Sequence, residues 1–178
     1  NSSGRGVSIT VMPKLGVKNI ISDWPSESRA NAQHIINKYG EPDEATPSRL
    51  IWHNNGPWKH TIVYRDTVKH NFPFPHSDGI EQAVSHEIPM EKACELVAFN
   101  GSLVFCCTRG EISACCQSEE ANLLSINLAH DIILDKKTFE QARRFFCDSI
   151  IAYRQNRKVP YMEELQFTPD SASADADE

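Results

Sequence analysis

The chain has 178 residues, 40% of them hydrophobic and 24% charged, which is typical of one soluble globular domain with a substantial core. No apolar run approaches the roughly 20 residues that a membrane span needs, so we expect none. The net charge is −6, and the six acidic residues after Lys158, where no Lys or Arg occurs, account for all of it. Residues 1–162 have no basic excess to gather phosphates, so we expect no nucleic-acid role.

The N-terminal part of the sequence predicts an extended arm followed by a helix. Residues 1–22 contain one strand-like run that Pro13 and Gly16 interrupt, so we expect an extended N-terminal arm. Apolar residues then recur at helical spacing over Ser26–Tyr39, and Gly40 ends this predicted helix.

Two β-hairpins and one further strand are predicted from runs rich in Val, Ile, Trp, Thr and Tyr. The turn of the first hairpin contains Asn55-Gly56, which supplies the positive φ values of a tight turn. The predicted strands cover Arg49–His53, Trp58–Arg65, Ile80–Ile88, Ser102–Thr108 and Glu111–Cys116.

Three more helices are predicted between and after these strands. A short one covers Met90–Phe99, Ser118 caps a largely buried third helix, and Thr138 with Gln141 forms a capping box that begins a fourth. The short link between the last two predicts that they pack antiparallel and supply most of the core. This order favours an α+β fold: an antiparallel sheet built from two hairpins plus one further strand, covered by about four helices, with a C-terminal antiparallel helix pair.

The domain organisation follows from these elements and from the charge distribution. We expect a single α+β domain over residues 23–158 behind the arm. Residues 159–178 are acidic and end in small residues, so we expect an extended acidic C-terminal tail that orders only on a partner.

One stretch carries a likeness to a known family. The predicted first helix runs into Tyr39-Gly40-Glu41-Pro42-Asp43 and then into a Trp- and Tyr-rich hairpin, which resembles the start of small outer-membrane assembly lipoprotein modules. The resemblance covers this turn and hairpin only, and the lipid-bearing N-terminal cysteine of those modules has no counterpart. We therefore assign the chain to no family on this basis.

Two cysteine doublets, Cys106–Cys107 and Cys115–Cys116, flank the second predicted turn. Adjacent side chains in a strand point to opposite faces, so four thiolates would not converge on one ion as a Cys₄ zinc site requires. Two registers stay open: Gly110-Glu111 as central turn residues places Cys106 opposite Cys115, whereas Arg109-Gly110 pairs no cysteines. Buried apolar thiols are favoured over a disulfide or a metal site.

Six reduced thiols would suit a reducing compartment. We therefore favour the cytoplasm, or an organelle interior after removal of a targeting peptide, over secretion.

The segment from His70 to Asp78 is the strongest candidate for a site, because histidines and an aspartate lie on a loop that two prolines make rigid. Asn127, His130 and Asp131 share one face of the third predicted helix and could join it. The competing interpretations are that Phe72 and Phe74 insert the loop into the core and that the Asn127 face is solvated or capping. The candidate site residues are His70, His76, Asp78, His130 and Asp131.

The common nucleotide-binding and hydrolase motifs are absent from the sequence. The favoured hypothesis is a non-catalytic interaction protein without cofactor or metal, an accessory subunit that binds other protein subunits through its extended arms. The predicted partner-binding residues are Tyr161, Met162, Leu165 and Phe167. The alternative is a small metal- or ligand-binding enzyme with its site at the His70–Asp78 loop.

Overall fold

A computed structural model describes residues 16–169 of the chain. These residues form one antiparallel sheet of six strands in the order β1-β2-β3-β4-β6-β5, with five α-helices. The strands are β1 (Glu44–Thr46), β2 (Arg49–Asn55), β3 (Trp58–His70), β4 (His76–Ser85), β5 (Leu103–Cys106) and β6 (Glu111–Cys116). The helices are α1 (Val17–Ser22), α2 (Ser26–Tyr39), α3 (Ala93–Phe99), α4 (Glu119–Ile133) and α5 (Phe139–Arg154), with 3₁₀ turns at Met90–Lys92 and Pro160–Met162.

The predicted α+β class is confirmed, and so are both helix caps. The Ser118 side chain accepts a hydrogen bond from the backbone N–H of Ala121, and Thr138 with Gln141 forms the capping box of α5. None of the described helices is long and apolar enough to cross a membrane.

The structure differs from the prediction at three elements. Residues 17–22 form a helix rather than part of an extended arm, because Ile21 is buried against the domain. The sheet contains a strand that was not predicted, β1, a short edge strand paired with β2. The third predicted strand is shifted, since β4 begins at His76 and ends at Ser85. Residues 1–15 and 170–178 of the predicted arm and tail lie outside the described residues.

The helices pack on one face of the sheet around two groups of buried residues. The smaller group joins α1 and α2 to the first strands through Ile21, Ile35, Leu50 and Trp52. In the larger group, α4 and α5 supply half of the buried residues, as expected for the main core elements. Alternate residues of each strand face this helix layer, so the other set faces away from it.

A bulge in β3 changes the register between β3 and β4. Val63 pairs with Ile80, but Val68 pairs with Asp78, so the four residues of β3 between the two pairs lie opposite Gly79 alone. This bulged segment comes close to β4: a Cβ atom built on Gly79 would lie 2.9 Å from Thr67 Cγ2. Glycine is therefore the residue that lets the bulge pack against β4.

A buried carboxylate joins three elements at the start of α4. Glu119, 2% exposed, accepts hydrogen bonds from Tyr39 OH at 2.5 Å, Trp58 Nε1 at 2.6 Å and Lys38 Nζ at 2.6 Å. Burial alone would raise the pKa of Glu119, but these three donors outweigh it and hold the pKa below its ordinary value. The ionised carboxylate thus fixes α2 and β3 to the N-terminus of α4.

The β5–β6 hairpin has neither of the two registers considered from the sequence. Cys106 pairs with Glu111 around a four-residue turn, which leaves Cys106–Cys107 at the turn and Cys115–Cys116 at the far end of β6. All six cysteines of the chain are unbridged thiols. Burial raises the pKa of the Cys116 thiol to about 12, so this thiol is an apolar core group at neutral pH.

Replacing Phe146 tests the α4–α5 core. Phe146 is 3% exposed and packs against Phe72 and Phe99. We expect Phe146→Ala to lower the free energy of unfolding by about 3–5 kcal/mol in urea denaturation, because it leaves a cavity. Tyr153→Ala, at a position 46% exposed on the same helix, is the control and should cost under about 1 kcal/mol. Equal losses of stability in Phe146→Ala and Tyr153→Ala would contradict the assignment of Phe146 to the core.

Replacing Glu119 tests the buried carboxylate and its pH dependence. Glu119→Gln keeps the size but loses the charge, so we expect a loss of about 1–3 kcal/mol at pH 7. Because the folded pKa lies below the unfolded value of about 4.3, the advantage of the wild type is complete above that value and disappears as the pH falls through the folded pKa. The free energies of unfolding of wild type and Glu119→Gln, measured by denaturation from pH 7 to pH 3, should therefore converge as the pH falls. The control Glu27→Gln, on the exposed start of α2, should have a free energy of unfolding close to that of wild type at every pH. A stability difference between wild type and Glu119→Gln that does not change with pH would contradict the role of Glu119 as an ionised buried carboxylate.

Candidate metal centre

Three potential metal ligands meet where β3 and β4 join. His70 and His76 are cross-strand partners at the end of the ladder, and Asp78 follows His76 by two residues, on the same face of β4. One ligand atom from each residue lies within 4.8 Å of the other two. The two nearest pairs are His76 Nε2 with Asp78 Oδ1 at 2.9 Å and His70 Nδ1 with Asp78 Oδ2 at 3.1 Å.

The ring of His76 is oriented by the backbone. Its Nδ1 lies 2.7 Å from the carbonyl oxygen of Phe74, and a carbonyl only accepts, so Nδ1 carries the hydrogen. In the neutral ring Nε2 then has the lone pair, on the side of Asp78. A histidine that binds a metal through one nitrogen and donates from the other to a carbonyl has this arrangement.

Asp78 is a buried carboxylate that its surroundings only partly satisfy. It is 6% exposed, and its Oδ2 accepts a hydrogen bond from Ser102 Oγ at 2.6 Å. Among residues 16–169, Oδ1 accepts no hydrogen bond, although His76 Nε2 is within ion-pair distance. A neutral His76 would place two acceptors 2.9 Å apart, which repel unless a proton or a metal cation lies between them.

The geometry fits a first-row transition metal. Two ligands of a tetrahedral zinc ion lie roughly 3.3 Å apart when the bonds are about 2.0–2.1 Å, close to both short distances in this cluster. Two histidines and one carboxylate are also a common ligand set for zinc and for non-haem iron. The two short contacts involve different oxygens of Asp78, Oδ1 for His76 and Oδ2 for His70.

The loop that joins β3 to β4, next to the three ligands, is held against α5. Phe72 packs on Phe146, and the Arg143 guanidinium lies 3.9 Å from the centre of the Phe72 ring. Phe74 contacts Arg154 in the same way. The expectation that both phenylalanines insert the loop into the core is therefore correct, and it is compatible with a site, because a cavity of about 10 Å³, enough for one water molecule, remains beside the histidines.

His130 and Asp131 do not join this cluster. His130 lines a separate pocket with His86 and Phe167, and Asp131 accepts hydrogen bonds from Tyr161 OH and Lys137 Nζ. Asp131 and Asn127 are 4% and 1% exposed, so the expectation of a solvated face on α4 is wrong.

The C-terminal segment from Val159 to Thr168 covers that face of α4. Asn127 donates to the carbonyls of Tyr161 and Glu164 and accepts from the backbone N–H of Gln166. Of the predicted partner-binding residues, Met162 is buried in the core, and the half-buried side chains Tyr161, Leu165 and Phe167 pack against it. This part of the expected tail is therefore folded onto the domain, and partner binding by these residues stays a prediction.

Ser102 contributes to the cluster, although no pattern in the sequence indicates it. In the sequence, Asn100-Gly101-Ser102 matches only a short glycosylation acceptor pattern. In the fold, Asn100 is 1% exposed, and its side-chain oxygen accepts the backbone N–H of Ser102 at 3.0 Å. This turn aims the Ser102 hydroxyl at Asp78 and leaves the hydroxyl 3.1 Å from His70 Nδ1.

Replacing Gly79 tests whether the bulge has to pack closely against β4. Gly79→Ala should cost about 1–3 kcal/mol in urea denaturation, because the new methyl group meets Thr67. Adding Thr67→Ser, which removes the clashing methyl group, should recover part of this loss. Gly101→Ala is the control, since a Cβ atom there meets nothing within 4 Å. A double variant as unstable as Gly79→Ala alone would contradict the assigned contact.

Comparison of the chain with protein-family models, with curated proteins and with solved structures found no match.

Proposed function

We propose that this chain is a metal-binding protein that holds one divalent transition metal, of the zinc type, through His70, His76 and Asp78. The observation that carries the proposal is the short His76–Asp78 contact. His76 Nδ1 is committed to a backbone carbonyl, and a buried carboxylate oxygen without a hydrogen bond lies 2.9 Å from Nε2. A metal ion bound by both atoms satisfies the carboxylate and uses the lone pair of the ring.

The ligand set indicates the kind of site. Structural zinc sites have four protein ligands, whereas catalytic sites have three and keep one position for water. This centre offers three, and the adjacent cavity of about 10 Å³ admits one water. A metal ion here would lower the pKa of that water, and the Ser102 hydroxyl that holds Asp78 would belong to the outer shell.

Zinc binding by the untagged, chelator-stripped chain tests the proposal. We expect one equivalent of Zn²⁺ by isothermal titration calorimetry. We also expect stabilisation by about 2.7 kcal/mol when free zinc is 100-fold above the Kd, because the metal binds the folded state only. His76→Ala and Asp78→Asn should each weaken binding by more than about 100-fold, since each removes a direct ligand.

The chain contains a matched control for this test. His53 Nε2 lies 2.7 Å from Glu44 Oε1, so it is also a histidine–carboxylate pair, but it is exposed. His53→Ala should leave zinc affinity unchanged. If wild-type chain binds no zinc while His76 proves to be a protonated imidazolium by nitrogen NMR, the cluster is a plain ion pair and the proposal is wrong.

We also propose that the chain binds another protein, and we place this binding on the face of the sheet opposite the helix layer and not on the extended arms of the interaction-protein hypothesis. The two groups of buried residues that join the helices to the sheet lie on the other face. Ile51 and Ile62 are cross-strand partners there and are partly exposed, and Val104 on β5 is 58% exposed. Partly exposed apolar side chains on a sheet face are typical of a surface that binds another protein.

Charge substitution on this face tests the second proposal. A partner that co-purifies with the wild type under mild conditions should be lost with Ile62→Lys, because a charge at the centre of an apolar interface is costly. It should be retained with Val97→Lys, an exposed apolar position on α3 in the helix layer. Equal recovery with both variants would contradict binding through this face.

A further inference from the structure

The cavity beside the candidate metal centre is small and has apolar walls. Its volume is about 10 Å³, the space of one water molecule. Next to the two histidines, the walls include Phe72, Phe74, Phe146 and Ile150. Phe146 and Ile150 are 3% and 4% exposed, so their side of the cavity belongs to the core. A ligand that binds beside the histidines therefore has about the space of one water molecule.

The two phenylalanines of the β3–β4 loop are held in place on their other sides. The Phe72 ring packs on Phe146, and the Arg143 guanidinium lies 3.9 Å from its centre. The Arg154 guanidinium lies 4.9 Å from the centre of the Phe74 ring. A ligand too large for the cavity would have to displace these rings and break their packing and cation–π contacts. The walls thus select ligands by size.

The charges around the cavity favour an anion. Arg154 is the exposed residue of the lining, and its guanidinium is always charged. Within the described part of the chain, no Asp or Glu side chain lines the cavity. Cys116 lines it as a neutral thiol, because burial raises the pKa of this thiol to about 12. An anion in the cavity therefore meets one fixed positive charge.

The charge of the metal centre itself points the same way. A divalent ion that is bound by two neutral imidazoles and the Asp78 carboxylate has a net charge of +1. One monovalent anion at the open position neutralises this charge, whereas a water molecule does not. Size and charge together therefore favour a small anion over a neutral or bulky ligand.

We propose that the open position of this metal centre takes anions with a single heavy atom, such as hydroxide and hydrosulfide, and excludes organic ligands. This inference rests on the proposed metal site and names the class of ligand that fits it. Hydrosulfide replaces the bound water in a ligand exchange: water leaves as a neutral molecule, and no electron is transferred. Because zinc-type ions bind sulfur as well as nitrogen and oxygen, hydrosulfide is the member of this class that tests the inference best.

The test compares hydrosulfide with methanethiol, which has the same donor atom and one additional methyl group. The untagged, chelator-stripped chain is loaded with one equivalent of Co²⁺, whose absorption spectrum reports on the ligands of a zinc-type site. Hydrosulfide at pH 8 should add a sulfur-to-cobalt charge-transfer band in the near ultraviolet. Methanethiol should bind at least about 10-fold more weakly, because its methyl group overfills the cavity.

Variants that enlarge the cavity separate size from the intrinsic difference between the two sulfur ligands. Phe74→Ala should strengthen methanethiol binding by at least about 10-fold and leave hydrosulfide binding within about 3-fold of wild type. Phe74→Leu is the smaller change and should act in the same direction if Phe74→Ala does not fold. Phe105→Ala is the matched control, because Phe105 is also half-buried against the core but does not line the cavity. It should keep the preference of the wild type.

The outcomes separate this inference from the metal site on which it rests. If the wild-type chain binds no Co²⁺, the proposed metal site and this inference are both wrong. If the cobalt-loaded wild type binds hydrosulfide and methanethiol equally, or binds neither, the inference alone is overturned. The same holds if hydrosulfide removes the cobalt from the chain, or if the preference is unchanged in both Phe74 variants.

Discussion

The bulge in β3 is the constraint on which the candidate metal centre depends. If the register that pairs Val63 with Ile80 continued to the end of the hairpin, His70 would lie opposite Pro73, and Asp78 would lie opposite Arg65. The shift of three residues brings His70 opposite His76 instead and places Asp78 two residues further along β4. Gly79 allows this shift, because it has no side chain and leaves room for Thr67 where the bulge of β3 lies against β4.

Polar residues on α4 organise the other side of the molecule. Asn127 and Asp131 are almost fully buried. Backbone and side-chain groups of the C-terminal segment form hydrogen bonds with both of them. The polar face of α4 thus contacts a segment of the same chain and is not exposed to solvent. The same contact places the Phe167 ring on the His130 ring, with centroids 4.1 Å apart.

The sequence was sufficient for elements whose signals are local. The caps of α4 and α5, the span of α2 and the α+β class were predicted because capping residues and hydrophobic spacing act within a few residues. The sequence predicted a loop for His70–Asp78, whereas the structure has His76 and Asp78 two residues apart on one face of β4. Local patterns could not place His70 and Ser102 beside them, because a bulge and a turn after α3 bring those residues in from elsewhere in the chain.

The errors have the same origin. The helix at residues 17–22 forms where Ile21 packs against the domain, which is a tertiary contact. The β5–β6 turn contains four residues, so neither register drawn from two-residue turns applied. The segment after Arg157 has the composition of a partner-binding tail. Hydrogen bonds with Asn127 and Asp131 of α4 nevertheless hold it against the core.

The most direct test of the central claim is the X-ray absorption fine structure of the zinc-loaded, untagged chain at the zinc edge. The account predicts a first shell of nitrogen and oxygen at about 2.0–2.1 Å with the outer-shell signal of two imidazole rings. A sulfur shell at about 2.3 Å would mean that cysteines hold the metal, and a shell of oxygen alone would mean that the ion is not bound by the histidines. Either result would contradict a centre built from His70, His76 and Asp78.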